Sequence, residues 1–269
     1  MPGELFVEYQ LAAKKLRPDL DVMMAAYGEY GAGYIGTHDA YAEGGYETSA
    51  RASKTTSGAE AILMGAVKTL LGVEDFASEL PRIPPLWPES ALDSFAVADG
   101  FEMQLVASEP LLGSPVEIQW DSAGGLFVCE MRGYSEDQDD LISTIGLLRD
   151  PHGDGTFDLR TTFASGLRWP TAIFPYDGGL FVADAPNLYY FKDTNGDDVA
   201  DTKEVVLTGF GTSNVQGLMN SMRWGLDNRI HIACSSTGGM VVAPNSPDKP
   251  VNIRGRDICL LYTSPSPRD

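Results

Sequence analysis

The sequence holds little sulfur, little imidazole and little positive charge. Its three cysteines and three histidines are scattered, and no pair of cysteines forms CxxC or CxxCH. That spacing excludes a thiolate metal site and a covalently attached haem. Nineteen basic residues face 38 acidic ones, a net charge of -19. A chain so acidic repels phosphate backbones, so no nucleic-acid partner is expected. No apolar run reaches the roughly 18 to 20 residues that a membrane span requires, so no span is expected. The opening MPGELFVEY lacks a basic stretch and an apolar stretch, so no signal peptide is expected there.

What is present is enough apolar residue, 43%, to bury a core. At the other end, residues 259–269 read CLLYTSPSPRD, the translation of a transposase-type sequencing adapter. They are read as an artefactual tail, which makes the remainder a piece of a longer protein. Without that tail the cysteines are Cys129 and Cys234, far apart and expected as buried thiols.

Residues 1–73 suggest the edge of an α/β domain. A helix is expected over 4–16, a buried strand over 21–27, and a glycine- and tyrosine-rich loop over 28–47. A second helix is expected to open on a capping box formed by Ser57 and Glu60 and to end near Gly72. Residues 74–99, with Pro81, Pro84, Pro85 and Pro88, form a semi-rigid linker.

Residues 100–258 change to alternating patterning. Three segments, starting at Pro115, Pro170 and Asn220, share an apolar strand, an Asp-containing turn and a second strand. Leu126, Leu180 and Ile230 correspond, at intervals of about 50 residues. Outer strands are expected over 143–150, 159–166, 187–193 and 204–210. The fold class expected is mainly β, a partial β-propeller of about three blades with a small N-terminal α/β fragment. Three blades cannot close a ring, which leaves blade edges unpaired.

Two acidic loops interrupt the strands. Asp193, Asn195, Asp197, the Val199 carbonyl, Asp201 and Glu204 occupy the ligand spacing of an EF-hand-type loop, so calcium is the expected ion. Asp198 stands at the sixth position, where glycine is usual. The loop 150–158 is similar, but His152 at its third position is a poor calcium ligand, and that loop is read as structural.

Two resemblances follow from these strings. PGE at 2–4, GYIGT at 33–37 and GGYET at 44–48 resemble the end of the neutral ceramidase-like zinc hydrolase domain. The resemblance implies that Glu4 and Tyr34 are zinc ligands and that Tyr46 helps bind a polarised lipid-amide oxygen, with the histidine ligands upstream. From the residues alone, Glu4 reads as a first-turn helix residue and His38 as a loop histidine.

Over residues 98–258, FEMQLVASEP, FVCEMRGY, WPTAIFPYDGGLFV and SNVQGLMNSMRWGLDN resemble the PVC-type membrane-bound dehydrogenase-like propellers, relatives of glucose/sorbosone dehydrogenases. That resemblance implies a six-bladed ring, pyrroloquinoline quinone over the central channel, and a sugar or alcohol substrate. It also implies a cytochrome c acceptor and a periplasmic or extracellular location. Where those relatives carry a histidine base, this chain has Gln216-Gly217; His231 is read as a blade residue. Glu130, Arg132, Asn214 and Gln216 are expected at the channel mouth. A non-catalytic carbohydrate- or protein-binding propeller, and a parent whose activity is the zinc amidohydrolase, remain open alternatives.

Overall fold

The computed structural model describes residues 1–28, 31–73, 80–82, 84–134 and 139–260. The chain divides into two compact units, Met1–Leu86 and Trp87–Asp269.

In the first unit, strand β1 (Glu4–Leu5) leads into helix α1 (Val7–Leu16). Strand β2 (Tyr34–Ile35) pairs with β1 in parallel, and helices α2 (His38–Glu43) and α3 (Ala59–Leu71) follow. Tyr9, Ala12, Ala13 and Leu16 of α1 pack on Met64 and Val67 of α3, with Ile35 beside them. The Tyr9 hydroxyl, inside this core, donates to Gly36 O at 2.9 Å, and burial pushes its ionisation well above the usual phenol range.

Three expectations for this unit are corrected. The first helix starts at Val7, because Glu4 and Leu5 are drawn into pairing with β2. Residues 21–27 are no strand: they are half-exposed and joined to the rest by single bonds such as Tyr27 N to Gly3 O at 2.8 Å, with Tyr27 at φ 61°. The Ser57–Glu60 capping box does not form, since Gly58 caps α3 without a side-chain bond. Glu60 instead accepts the N–H of His38 at 2.5 Å, and His38 is the first residue of α2 and no loop residue. The expected stop near Gly72 is observed; this residue closes α3 at φ 67° and donates its N–H to carbonyls of the last turn.

Of the linker, residues 74–79 and 83 lie outside the described residues, and a short helix α4 (Pro88–Leu92) opens the second unit. The body of that unit is β. Strands β3 (Pro115–Trp120), β4 (Leu126–Glu130), β5 (Ser143–Arg149) and β6 (Leu159–Leu167) form a four-stranded antiparallel meander. Strands β7 (Ala172–Tyr176), β8 (Gly179–Asp184), β9 (Asn187–Lys192) and β10 (Thr202–Phe210) repeat that meander. Strands β11 (Asn220–Trp224) and β12 (Ile230–Ala233) start it a third time.

The third repeat then departs from the four-stranded expectation. Strands β13 (Gly239–Val242) and β14 (Val251–Asn252) extend the second sheet beyond β10, making it six-stranded. The third sheet is completed only by β15 (Ile258–Leu260), which pairs with β12. Two residues assigned to the artefactual tail, Cys259 and Leu260, are therefore in this strand, while residues 261–269 lie outside the described residues. No closed ring is formed by the described sheets.

Repeat position decides which way each side chain faces. Phe127 and Cys129 of the first sheet meet Leu180 and Val182 of the second. Phe181 and Ala183, the alternate positions of β8, meet Ile230 and Ile232 of the third. Strands buried on both faces read as continuous apolar runs, and β4 and β8 are buried at every position. The free face of the first sheet is covered by its own chain, with Leu126, Val128 and Leu148 against Phe157, Ala107 and Leu111. His231, at the position of Phe127 and Phe181, faces outward and is bonded at 2.9 Å to Asp227 of the adjoining turn.

The first strands β3, β7 and β11 lie side by side. Glu117 of β3 joins them: its Oε2 accepts the N–H of Ile173 on β7 at 3.0 Å, and its Oε1 accepts from Arg223 on β11 at 2.7 Å. Cys129 and Cys234 are buried free thiols, as expected. Position-specific burial gives a direct contrast. Phe181→Ala should cost about 3–5 kcal/mol, a fall of order 10 °C in Tm for a domain this size. The equivalent change His231→Ala should cost less than about 1 kcal/mol. Comparable losses in thermal melts would contradict the assigned facing.

Candidate functional site

Strand order separates the sheets into two ends. The hairpin turns 121–125, 177–178 and 225–229 and both acidic loops occupy one end. The ends of β4, β8 and β12, with residues 131–134 and 139–142 and the loops 185–186 and 235–238, occupy the other. At this loop end the repeat places Glu130, Asp184 and Cys234 at one equivalent position, each nearly or fully buried.

Glu130 is fully buried, so it does not line a channel. Its Oε1 accepts from Gly113 N at 2.8 Å and Arg132 at 3.1 Å, and its Oε2 accepts from Thr144 at 2.8 Å and Arg160 at 2.5 Å. Burial alone would raise its carboxyl, but the bonds from Arg160, Thr144, Gly113 and Arg132 outweigh it and hold the group below the usual range. Asp184 has fewer donors: Arg168 N at 3.1 Å and Trp169 N at 2.8 Å. Burial dominates there, and its carboxyl is raised. At the third position, burial followed by the nearby Asp257 pushes the Cys234 thiol up to about 11, and Asp257 accepts the Cys234 N–H at 3.0 Å.

Asn214 and Gln216 share a 3-10 turn, Val215–Gly217, where Asn214 Oδ1 accepts the Gln216 N–H at 3.1 Å. Ser235 fastens the turn to the loop after β12 by donating to Gly217 O at 2.7 Å. The Gln216 side chain makes no hydrogen bond among the described residues. Arg132, half-exposed, keeps one amine on Glu130. The structure thus brings Glu130 to Arg132 and Asn214 to Gln216, and places both pairs at the loop end. No hydrogen bond joins one pair to the other among the described residues.

Residues 87–265 match the family described as Domain of unknown function (DUF7133). The chain belongs to this family. No curated protein matches the sequence. Among solved structures, the calcium structure of Trichoderma reesei Carbohydrate-Active Enzymes Family AA12 is similar at TM-score 0.40 and 18% identity, covering 53% of this chain and 34% of that chain. The holo Pyranose Dehydrogenase PQQ domain from Coprinopsis cinerea is similar at TM-score 0.41 and 14% identity, over 53% and 32% of the two chains. The chain thus spans about a third of the length of these structures.

The two acidic loops of the DUF7133 region are built alike. Asp193 accepts the N–H groups of Asn195, Gly196 and Asp198, and Asp150 accepts those of His152, Gly153 and Gly155. Gly155 has φ 89° and Asp198 φ 64°, so the residue at the usual glycine position adopts the left-handed conformation that aspartate tolerates. Its carboxylate is held by Arg149 of β5 at 2.5 Å, and Arg149 also reaches Asp121 at 3.4 Å.

Asp197 accepts the Val199 N–H, Asp201 holds Thr194, and Glu204 lies in β10 opposite Tyr190. No group of three or more described His, Cys, Asp or Glu residues is arranged to hold a metal. Asp193, Asn195 and Asp197 accept N–H groups of the loop itself, and Asp198 is held by the Arg149 guanidinium.

In the first unit, the register sets Glu4 directly opposite Tyr34. The Glu4 charge raises the Tyr34 phenol, and a hydrogen bond to Glu4 raises that of Tyr27. Tyr46 stacks edge-on against Tyr34, with ring centroids 6.1 Å apart. The three residues named by resemblance are therefore neighbours, joined by Tyr27, which the sequence reading passed over. His38 belongs to α2 and its ring faces Asp39 at 3.3 Å. A zinc site needs four ligands, and this cluster offers oxygens without an imidazole, so it does not fit zinc by itself.

Arg160, Arg149, Glu117 and Asp257 were also passed over, though aligning the repeats marks the Glu130–Asp184–Cys234 position in sequence. Glu130 gives a test with a defined sign. A depressed carboxylate adds stability above its unfolded pKa, about 4.3, and that stability is lost as pH falls through the folded value. Glu130→Gln should cost about 3 kcal/mol at pH 7 by leaving the largely buried Arg160 without its carboxylate. The gap to wild type in denaturant melts should narrow as pH drops below 4; a constant gap would contradict the ionised, buried pair.

Proposed function

We propose that residues 87–260 are a sector of a dehydrogenase-like β-propeller from an exported protein, whose loop end binds a small polyhydroxylated molecule, a sugar or alcohol. The carrying observation is the set of three first strands side by side, joined by Glu117, with the loops that follow β4, β8 and β12 at one end. Inner strands gathered around one axis are the arrangement of propeller blades. The dehydrogenase part rests on the resemblance of residues 98–258 to that class, and the export on the same resemblance. No helix among the described residues is long and apolar enough to cross a membrane.

Pyrroloquinoline quinone is the cofactor this reading implies, and it would supply a hydride acceptor. Oxidising an alcohol also requires a base for the hydroxyl proton. Gln216 cannot accept one, the Glu130 carboxylate is closed by two arginines, and Asp184 is buried against two backbone N–H groups. The described loop end does not fit that half of the chemistry, and no step is derived through the quinone.

These features favour a second reading, a non-catalytic carbohydrate-binding propeller. The amides of Asn214 and Gln216 and the half-exposed guanidinium of Arg132 are donors and acceptors suited to sugar hydroxyls. A cytochrome c acceptor belongs to the first reading alone. The discriminating experiment is dye reduction by the folded chain with sugar and added quinone, run beside a glycan-binding screen. The geometry predicts binding without turnover. Sugar-dependent reduction would contradict the missing base, and loss of both signals would remove the ligand assignment.

A further inference from the structure

Two arginines of the second unit differ from the rest. Arg132, Arg149, Arg160, Arg168, Arg223 and Arg229 each lie within ion-pair distance of a carboxylate. Arg254 and Arg256 form no ion pair among the described residues, in a chain whose net charge is -19. They flank Gly255, whose φ of 68° lets the backbone close a turn with Arg256 N bonded to Ile253 O at 3.0 Å.

The turn is fastened on both sides. Ile253 is 1% exposed and packs in the core between the second and third sheets, and its N–H donates to Gly239 O at 3.1 Å. Asn252 accepts the Arg254 N–H at 3.0 Å, and Asp257 holds Cys234 N at 3.0 Å. The last bond places the turn at the loop end of the sheets. Pro250, Val251, Asn252, Arg254 and Arg256 line an open cleft of about 540 Å³.

Two guanidinium groups two residues apart repel one another unless an anion lies between them. Each offers a planar fork of donors that matches a carboxylate or phosphate in two parallel hydrogen bonds. Both guanidinium groups line the same cleft, with the Asp257 carboxylate beside them bonded to Cys234 N–H; acidic groups farther than about 8 Å are screened at physiological salt. We infer that the Ile253–Asp257 turn is a binding site for a small oxyanion, a carboxylate- or phosphate-bearing ligand held between Arg254 and Arg256. The site does not depend on the propeller's chemistry.

The test is calorimetric titration of the full chain with inorganic phosphate and, separately, with succinate, at ionic strength held constant with chloride. Saturable binding of one probe, weakened at least tenfold in Arg254→Gln/Arg256→Gln, is the expected result, and the tighter probe assigns phosphate or carboxylate. The doubly substituted chain should melt like wild type in chloride. If it does not fold, Arg254→Lys/Arg256→Lys decides, since it keeps the charge and loses the fork, and weaker binding is expected. Absence of saturable binding for both probes, or unchanged affinity in the substituted chains, would overturn the site.

Discussion

The carboxylate of Glu117 is the point on which the second unit turns. It stands on the first strand of the first sheet, takes a backbone N–H from the second sheet, and faces an arginine from the third. Sequence separations of this size make such contacts entropically expensive, so a single side chain that serves three sheets fixes how the repeats associate. Around it, the apolar faces follow by repetition. Strand β8 shows Leu180 and Val182 to the sheet before it and Phe181 and Ala183 to the sheet after it.

The same repetition distributes the polar residues. At one end, acidic loops close on their own N–H groups and are tied between sheets by Arg149. At the other end, buried acids or a thiol terminate the middle strands, and the outgoing loops carry exposed amides and guanidinium groups. Structural charge and ligand-binding potential are thereby kept apart. The acidic loops organise their own turns.

Several features were legible in the sequence because they are local or periodic. The three hairpins could be read from their shared apolar strand and turn; Leu126 and Ile230 oppose the closing tryptophan of the preceding strand, and Leu180 opposes Pro175. Gly72 marked the end of its helix. What could not be read was set by distant partners. Glu4 left its helix for a strand partner thirty positions away in register with Tyr34. Glu60 capped a different helix from its own. Strand β13 pairs with β10 of the second sheet, and β15 completes the third sheet among the described residues. The ligand spacing at 193–204 could not show that Asp193, Asn195 and Asp197 accept N–H groups of their own loop. Glu130 looked like a channel residue for the same reason, since Arg160 reaches it from a strand thirty residues away.

A double-mutant cycle on Glu117→Gln and Arg223→Gln, followed by urea unfolding, tests the three-sheet arrangement most directly. Glutamine keeps an acceptor for Ile173 N–H, so the cycle isolates the link between the first and third sheets. Sheets gathered on one axis predict a coupling of at least about 0.5 kcal/mol. Strictly additive losses, within about 0.3 kcal/mol, would mean that β3 and β11 do not meet, and would contradict the propeller sector.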